Sequence, residues 1–243
     1  MPRQMSISAL PTLSRVLNLL LPRSCLLCGD TAQSALCAGC AADLPRLAGS
    51  VCCICAAPLV TPAPRCADCL RDPPAYDATH AALRYAFPLD RLVQHLKFGG
   101  RHAFHRLAGA DFFATCLLAG PHPAGDIIVP VPLSRVRLRE RGFNQALEIA
   151  RPLARALALP LDTQALVRAR DTPPQSRLPW RVRHRNVRHA FACTEDFAGK
   201  TVIVVDDVMT TGATLDAVAR TLKAQGAVRV VNWVVARAVK RTT

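Results

Sequence analysis

Two adjacent carboxylates, Asp206 and Asp207, are followed closely by a turn rich in hydroxyl groups and small residues. The turn has the sequence TTGAT and spans residues 210–214. Neighbouring carboxylates can accept hydrogen bonds from vicinal hydroxyl groups, as on a ribose. Threonine hydroxyls, backbone N–H groups and a glycine that allows close approach suit a phosphate group. The sequence therefore predicts a site for a sugar phosphate at residues 206–214.

The elements predicted around this turn are a buried strand and an amphipathic helix. Residues 202–205 are four consecutive β-branched residues, which is typical of a strand buried on both faces of a parallel sheet. Apolar residues then recur at helical spacing, and Gly226 is expected to end the helix. These apolar residues are Leu215, Val218, Ala219 and Leu222. Ligands of doubly wound sheets bind at the carboxyl ends of the strands, where the turn is expected to lie. The alternative is an Asp-rich turn before an ordinary helix.

The stretch VIVVDDVMTTGAT, residues 202–214, resembles the motif with which type I phosphoribosyltransferases bind phosphoribosyl diphosphate (PRPP). The resemblance implies an α/β domain with a doubly wound, mainly parallel sheet. It also implies that Asp206 and Asp207 face the ribose hydroxyls, as the catalytic pair if the chain is an enzyme, and that PRPP binds with Mg2+. The residues that the resemblance assigns to the 5′-phosphate are Thr210, Thr211, Gly212, Ala213 and Thr214.

A second predicted strand, GDIIVPV at residues 125–131, leads into a basic segment. In a phosphoribosyltransferase the first strand ends in a loop that holds pyrophosphate, and a mobile loop follows. The backbone amides of Leu133 and Ser134 are candidates for the first role, because the neighbouring prolines have no N–H. Arg139 and Arg141 are candidates for the second, since a guanidinium binds phosphate through two hydrogen bonds. The alternative is a solvated basic loop before the next helix.

Nine of the eleven cysteines lie between residues 25 and 69, and eight of them form four C-x-x-C pairs. Each pair places two thiolates on one turn, and two such turns complete a tetrahedral zinc site. A disulfide framework is disfavoured in a reducing cytoplasm, and a single pair could instead be redox-active. Four pairs in series favour two structural zinc sites, with sequential pairing as the simpler assignment and crossed pairing as the alternative. The predicted ligands are Cys25, Cys28, Cys37, Cys40, Cys52, Cys55, Cys66 and Cys69.

The sequence predicts three parts. Residues 1–24 are expected to form a short amphipathic helix, whose apolar run is too short to span a bilayer. Residues 25–72 are expected to form the double zinc ribbon, and the Pro-containing linker RDPPA at residues 71–75 marks its end. Residues 73–243 are expected to form the phosphoribosyltransferase-like domain. No transmembrane segment is predicted, and membrane-surface contact is the alternative for the first helix.

The chain has a formal net charge of +14, which suits an anionic partner such as nucleic acid, a phosphorylated ligand or an acidic membrane surface. The alternative is a compositional bias toward arginine. Residues 168–191 are basic and interrupted by prolines, and a solvated charge run is the usual interpretation of such a segment. The predicted nucleic-acid contacts are Arg181, Arg183, Arg185 and Arg188.

The order of these motifs resembles that of the ComF/ComFC (GntX-like) family, over residues 16–237. The cysteine pairs come first, then RERGFNQ at residues 139–145, the basic segment and the PRPP motif. The family implies a double zinc ribbon, a phosphoribosyltransferase-type domain and a link to natural competence and the use of external DNA. It implies a cytoplasmic location where single-stranded DNA enters, with peripheral contact at the inner membrane as an extension. The implied partners are PRPP or a nucleotide, single-stranded DNA and other DNA-uptake proteins.

Two functions stay open at this point. The first is a PRPP-binding accessory protein of DNA uptake that handles single-stranded DNA. The second is an active phosphoribosyltransferase of nucleotide metabolism with an unknown acceptor. Phosphoribosyltransferases select the acceptor with a variable hood, whereas the last predicted strand is followed here only by RAVKRTT. The first function is therefore preferred, and the question of catalysis is left open.

Overall fold

The structure is a computed structural model. It describes residues 23–98, 103–169 and 190–239. Within these ranges, no helix has the length and apolar character needed to cross a membrane. The structure divides into two compact units, with the division between Asp43 and Leu44. Nearly all of the helix predicted for residues 1–24 lies outside the described residues.

The first unit contains a short antiparallel ribbon and a helix of little more than one turn. Strand β1 (Arg23–Ser24) pairs with β2 (Thr31–Ala32), and helix α1 (Ala38–Ala42) follows. Elements this small bury few apolar side chains, so they cannot supply a core large enough to fold alone. A bound metal is the usual source of stability for such a module.

The second unit is built on a four-stranded parallel sheet in the order β3–β8–β7–β4. The strands are β3 (Ala78–Arg84), β4 (Ile127–Pro130), β7 (Thr201–Met209) and β8 (Arg229–Arg237). The predicted run at residues 202–205 lies in β7 and is at most 1% exposed, because β7 is a central strand with β8 and β4 on either side. The predicted parallel α/β sheet is confirmed.

The second unit also contains helices and one small ribbon. The helices are α2 (Ala67–Arg71), α3 (Leu89–Phe98), α4 (Ala103–Leu118), α5 (Arg135–Arg141), α6 (Gln145–Leu157) and α7 (Ala213–Ala224). The ribbon pairs β5 (Leu166–Arg168) with β6 (Phe191–Cys193). The apolar stripe of α6, including Ile149 and Leu153, is fully buried, and α6 packs on both β4 and β7.

The basic segment after β4 forms the short helix α5, where the sequence predicted irregular loops. The Ser134 hydroxyl caps its first turn by accepting a hydrogen bond from the Arg137 N–H (3.4 Å). Gly142 ends the helix in the left-handed conformation, with φ 76°. Arg139 and Arg141 therefore lie in the last turn of a helix.

Candidate functional site

The acidic pair lies within β7. The strand does not end after the apolar run at residues 202–205, because its pairing with β8 continues to Met209. Asp206 pairs in register with Val234, and Met209 pairs with Arg237. Asp206 is half-buried, whereas Asp207 is only 4% exposed. The Asp207 N–H donates a hydrogen bond to Asp206 Oδ1 (2.9 Å). The two carboxylates thus occupy a largely protected position near the carboxyl end of a central strand.

Lys97, in the last turn of α3, is the counter-ion of Asp207. Its Nζ lies 2.5 Å from Asp207 Oδ2, and the two side chains are 22% and 6% exposed. Lys97 was not among the residues predicted for the site. The only local signal is a lysine at the end of a predicted helix, and nothing in one sequence shows that this end reaches a strand more than one hundred positions later.

These contacts separate the proton affinities of the two aspartates. Burial and the adjacent charge of Asp207 raise the pKa of Asp206 well above its ordinary value. Burial would also raise the pKa of Asp207, but the charge and hydrogen bond of Lys97 outweigh that effect and lower it. Burial lowers the pKa of Lys97, and the charge of Asp207 more than reverses this, so that the pKa is raised. Asp207 and Lys97 are therefore held as a charged pair beside a carboxyl group that binds a proton readily.

Two further side chains belong to the same electrostatic neighbourhood. The charge of Arg141 acts on Lys97, and Arg141 Nη1 donates a hydrogen bond to Gln145 Oε1 (3.0 Å). Burial raises the pKa of Tyr85, and the charges of Lys97 and Asp207 also act on this phenol. The ends of α3, α5 and β7 therefore contribute to one site.

Leu133 and Ser134, the predicted pyrophosphate-binding residues, follow β4. This strand pairs with β7 in parallel, with Pro130 opposite Val205, so both strands end at the same edge of the sheet. Ser134 is 4% exposed, and its hydroxyl is used as the cap of α5. The backbone amides of the two residues remain the candidates for binding an anion there.

Residues 210–214, for which the sequence predicts phosphate binding, are here called the phosphate loop; they form the turn after β7 and the start of the twelve-residue helix α7. Thr211 Oγ1 accepts a hydrogen bond from the Ala213 N–H (3.2 Å). Gly212 has a left-handed φ of 83°, and a Cβ there would lie 2.8 Å from both the Tyr76 hydroxyl and the Met209 methyl group. Only glycine fits this position without displacement of its neighbours. The N-terminus of α7 beside the loop favours negative charge, as a phosphate site requires.

Arg237, the last residue of β8, connects the phosphate loop to the second group of cysteines. Its side chain is almost fully enclosed, with the residue 7% exposed. Nη1 lies within hydrogen-bond distance of the carbonyl oxygens of Met209, Thr210 and Ala238, at 3.2, 2.5 and 2.5 Å, and its two N–H groups are shared among these three acceptors. Nε donates to the carbonyl oxygen of Cys55 at 2.7 Å. From the sequence, Arg237 was only the start of a tail, because its role depends on carbonyl groups that are distant along the chain.

The eight predicted cysteines form two clusters, each made of two consecutive C-x-x-C pairs. The clusters are Cys25, Cys28, Cys37 and Cys40, and Cys52, Cys55, Cys66 and Cys69. Within each cluster all Sγ atoms lie within 4.8 Å of one another. Four thiolates at tetrahedral Zn–S distances would have sulfur atoms ~3.8 Å apart. The separations of 3.8 Å for Cys28–Cys37 and 3.6 Å for Cys55–Cys66 fit that geometry. Both clusters thus support structural zinc, in the sequential pairing.

The predicted nucleic-acid contacts cannot be placed in the same way. Arg181, Arg183, Arg185 and Arg188 lie outside the described residues. Their assignment stays a prediction from the sequence.

Comparison with protein families gives two matches. Residues 16–70 match the double zinc ribbon domain, and residues 144–242 match the phosphoribosyl transferase domain. The second match contains the acidic pair, the phosphate loop and Arg237, and it begins after Lys97 and Arg141.

Curated relatives resemble the chain over most of its length. DNA utilization protein YhgH of Salmonella typhi is 35% identical over 205 residues, which are 83% of this chain and 90% of that protein. Competence protein F of Haemophilus influenzae is 31% identical over 85% of this chain and 92% of that protein. Competence protein ComFC of Bacillus subtilis is 29% identical over 79% of each. Among solved structures, a purine phosphoribosyltransferase from Pyrococcus horikoshii is 18% identical with a TM-score of 0.28, covering 65% of this chain and 87% of that one, a likeness too low to bear on the fold.

Proposed function

This chain belongs to the family of competence protein F, ComFC and DNA utilization protein YhgH, and from that membership we propose that it is a PRPP-binding accessory protein of DNA uptake. One observation carries the ligand assignment. The acidic pair and the phosphate loop lie on one strand end, with α7 directly behind the loop. Carboxylates for a ribose and an N-terminal helix turn for its 5′-phosphate are thus presented together.

Different residues of the site bind different parts of PRPP. Asp206 accepts hydrogen bonds from the ribose hydroxyls, while Asp207 is held by Lys97. The phosphate loop binds the 5′-phosphate through its N–H groups and threonine hydroxyls. The diphosphate lies toward Arg141 and the amides after β4, where cationic and N–H donors stand at the same edge of the sheet.

Mg2+ suits the chemistry of this site. The largest charge acting on Asp206 is that of the adjacent Asp207, so a cation brought with the ligand would relieve the repulsion between them. When bound to the diphosphate, Mg2+ would neutralise phosphate charge. Asp206 is the carboxylate of this chain placed to meet it, directly or through water.

The DNA part of the proposal is supported by the names of the relatives and by the formal net charge of +14. Single-stranded DNA would be held through its phosphates by basic side chains, in a manner that depends little on sequence. This would take place on the cytoplasmic side of the membrane, where the zinc clusters would hold partner-contacting turns.

Isothermal titration with PRPP and Mg2+ tests the ligand assignment. Asp206→Asn should weaken binding by roughly 1–3 kcal/mol, the loss expected when charge-assisted hydrogen bonds are removed. Asp196→Asn is the control, because Asp196 is an exposed aspartate that precedes β7, whereas Asp206 lies near the end of that strand. Equal affinity for wild type and a well-folded Asp206→Asn protein would show that Asp206 does not contact the ligand.

Catalysis is tested separately. Release of pyrophosphate from PRPP, in the presence of candidate bases and of oligonucleotides, would identify an active phosphoribosyltransferase. Binding without release for all acceptors would support a regulatory or structural use of the ligand.

A further inference from the structure

We propose that Arg237 is a positioning residue that holds the phosphate loop in its anion-binding orientation, and that this orientation depends on the second cysteine cluster, Cys52, Cys55, Cys66 and Cys69. The ligand side of this inference rests on the proposed function. The structural side rests on the hydrogen bonds of one buried guanidinium. The same side chain touches the backbone of the cluster and the backbone of the loop.

The direction of the loop peptides is the first step. In a trans peptide the C=O of one residue and the N–H of the next point in opposite directions. Arg237 Nη1 binds the carbonyl oxygen of Thr210, so the N–H of Thr211 is directed away from the guanidinium. The Met209 carbonyl also accepts from Arg237 and from the Ala238 N–H, which fixes the preceding peptide, between Met209 and Thr210, in the same way. An anion site needs N–H groups turned toward the ligand and C=O groups satisfied elsewhere, and Arg237 supplies the second condition.

The charge of Arg237 is the second step. A buried guanidinium is costly unless an opposite charge lies near it. Arg237 Nε donates a hydrogen bond to the carbonyl oxygen of Cys55, which places the guanidinium next to the second cluster. A zinc ion with four thiolates has a formal charge of about −2, whereas four thiols without metal have none. A cluster loaded with zinc would therefore provide the counter-charge that keeps Arg237 in place.

The linker after the cluster makes a further connection to α7. The Ala75 N–H donates to Asp216 Oδ1 at 2.6 Å, and Arg220 Nε donates to Asp216 Oδ2 at 3.1 Å. Tyr76, the next residue, places its hydroxyl where a side chain at Gly212 would lie. The cluster, the linker, the phosphate loop and α7 are thus connected within the second compact unit. The first cluster belongs to the other unit and serves as an internal comparison.

Hydrogen exchange measures how well the backbone amides of the phosphate loop are protected, and it needs no bound ligand. Exchange of the amides in residues 209–215 should be faster in Cys66→Ser than in wild type, because the loss of a ligand weakens zinc binding and releases Arg237. Cys37→Ser removes an equally half-buried ligand from the first cluster and should leave exchange in the loop unchanged. Equal effects of the two substitutions, or no effect of either, would overturn the coupling.

Arg237→Lys tests the guanidinium while leaving both clusters intact. Lysine retains the charge, but a single ammonium cannot replace the fork that binds Cys55 and the loop carbonyls together. We expect two zinc ions per chain, faster exchange in residues 209–215 and PRPP affinity about tenfold weaker, the equivalent of one or two lost hydrogen bonds. Wild-type exchange and affinity in this variant would overturn the proposal even if Cys66→Ser fails to fold.

Linkage gives a reciprocal readout. If zinc in the second cluster raises the affinity for PRPP by some factor, then PRPP must raise the affinity of that cluster for zinc by the same factor. In the Cys37→Ser protein, PRPP should lower the fraction of the remaining zinc that a competing chelator holds at equilibrium, and Arg237→Lys should abolish this protection. An unchanged fraction in a protein shown by titration to be saturated with PRPP would contradict the coupling. If wild type binds no PRPP at all, the proposed function fails, and the exchange comparison still decides the structural claim.

Discussion

Lys97 Nζ lies 2.5 Å from Asp207 Oδ2 and joins the end of α3 to the end of β7. The pair is largely removed from water, so loss of either side chain would leave the other as a buried charge without a counter-ion. Asp206, the adjacent carboxylate, adds a second negative charge to the same place. The two aspartates, equivalent by sequence, therefore have different effects on the stability of the fold.

Substitution of the two aspartates should change stability in opposite directions. Asp207→Asn leaves Lys97 without its counter-ion and should lower the free energy of unfolding by ~3 kcal/mol, the lower end of the range for breaking a buried pair. Asp206→Asn removes like-charge repulsion and should raise it by about 1 kcal/mol, or roughly 2–4 °C in Tm for a chain of this size. Thermal unfolding of both variants near pH 7 measures the difference. A shift of the same sign in both would contradict the assignment of Lys97 to Asp207.

Stability should also depend on pH through Asp206. Its pKa is raised, so the folded state is favoured while Asp206 is protonated, and this contribution is lost as the pH rises through the raised pKa. Asp207 has a lowered pKa, so its contribution is present above the ordinary value of 3.8 and is lost as the pH falls through the lowered one. Tm measured upward from pH 4 should decline in wild type as Asp206 ionises, and Asp206→Asn should lack that decline. Parallel curves for the two proteins would argue against a raised pKa.

Each cysteine cluster should hold one zinc ion. Elemental analysis should therefore find two per chain in wild type and close to one in either Cys25→Ser or Cys69→Ser, since a three-ligand structural site binds much more weakly. Soluble yield should fall with the metal. Cys53→Ser is the control, because Cys53 is an exposed cysteine outside both clusters and its loss should leave two zinc ions. Absence of zinc in wild type, or disulfides that persist in reducing buffer, would contradict both sites.

Gly212→Ala should weaken PRPP binding at least tenfold. Alanine there meets a left-handed backbone, at a cost of about 1–2 kcal/mol, and contacts the Tyr76 hydroxyl at 2.8 Å. Gly199→Ala is matched in backbone conformation, with φ +73°, but a Cβ at that position has no atom within 4 Å. Gly199→Ala should lower the free energy of unfolding by a similar amount, because its backbone is also left-handed. In titration it should bind PRPP with the affinity of wild type. Equal affinities for the two variants would show that the shape of the phosphate loop does not matter for binding.

The two sets of arginines should separate PRPP binding from DNA binding. Neutralising Arg181, Arg183, Arg185 and Arg188 should weaken single-stranded oligonucleotide binding about equally for all sequences. It should also reduce the salt dependence by up to ~0.7 for each DNA phosphate that the variant no longer binds. PRPP affinity should survive in this variant. Neutralising Arg139 and Arg141 should weaken PRPP binding more than oligonucleotide binding, because Arg141 lies near Lys97 in the acidic site.

Fluorescence anisotropy at low and high salt measures the oligonucleotide affinities. Wild-type behaviour of both variants at both salt concentrations would show that the positive charge reflects composition. The DNA part of the proposed function would then rest on the relatives alone.

The parts of the fold that depend on local pattern could be predicted from the sequence. The β-branched run at residues 202–205 predicted a buried parallel strand, and C-x-x-C spacing predicted both cysteine clusters. In each case the residues that give the sequence pattern are also the residues that form the structure, and they are close together along the chain. Helix α5 was missed although Ser134 and Gly142 are ordinary cap residues, because the dense arginines between them were interpreted as a phosphate-binding loop.

The parts that depend on distant contacts could not be predicted. Lys97 is one lysine among many cations until α3 is packed near β7, and Arg237 has no local motif. Both act on groups that only the folded structure brings near them. A single sequence shows the periodicity of an element, but it does not show which side chains meet when strands distant in sequence become neighbours.

The bond between Arg237 Nε and the Cys55 carbonyl spans 182 positions of the chain. During synthesis, Cys52 to Cys69 leave the ribosome long before β8 does, and their zinc site is at first a short ribbon without the strand that supports it. The first cluster belongs to the other compact unit, and its two pairs lie within a stretch of sixteen residues. Domains fold as their segments become available. The two metal centres would therefore mature at different times, the first soon after it is translated and the second together with the parallel sheet.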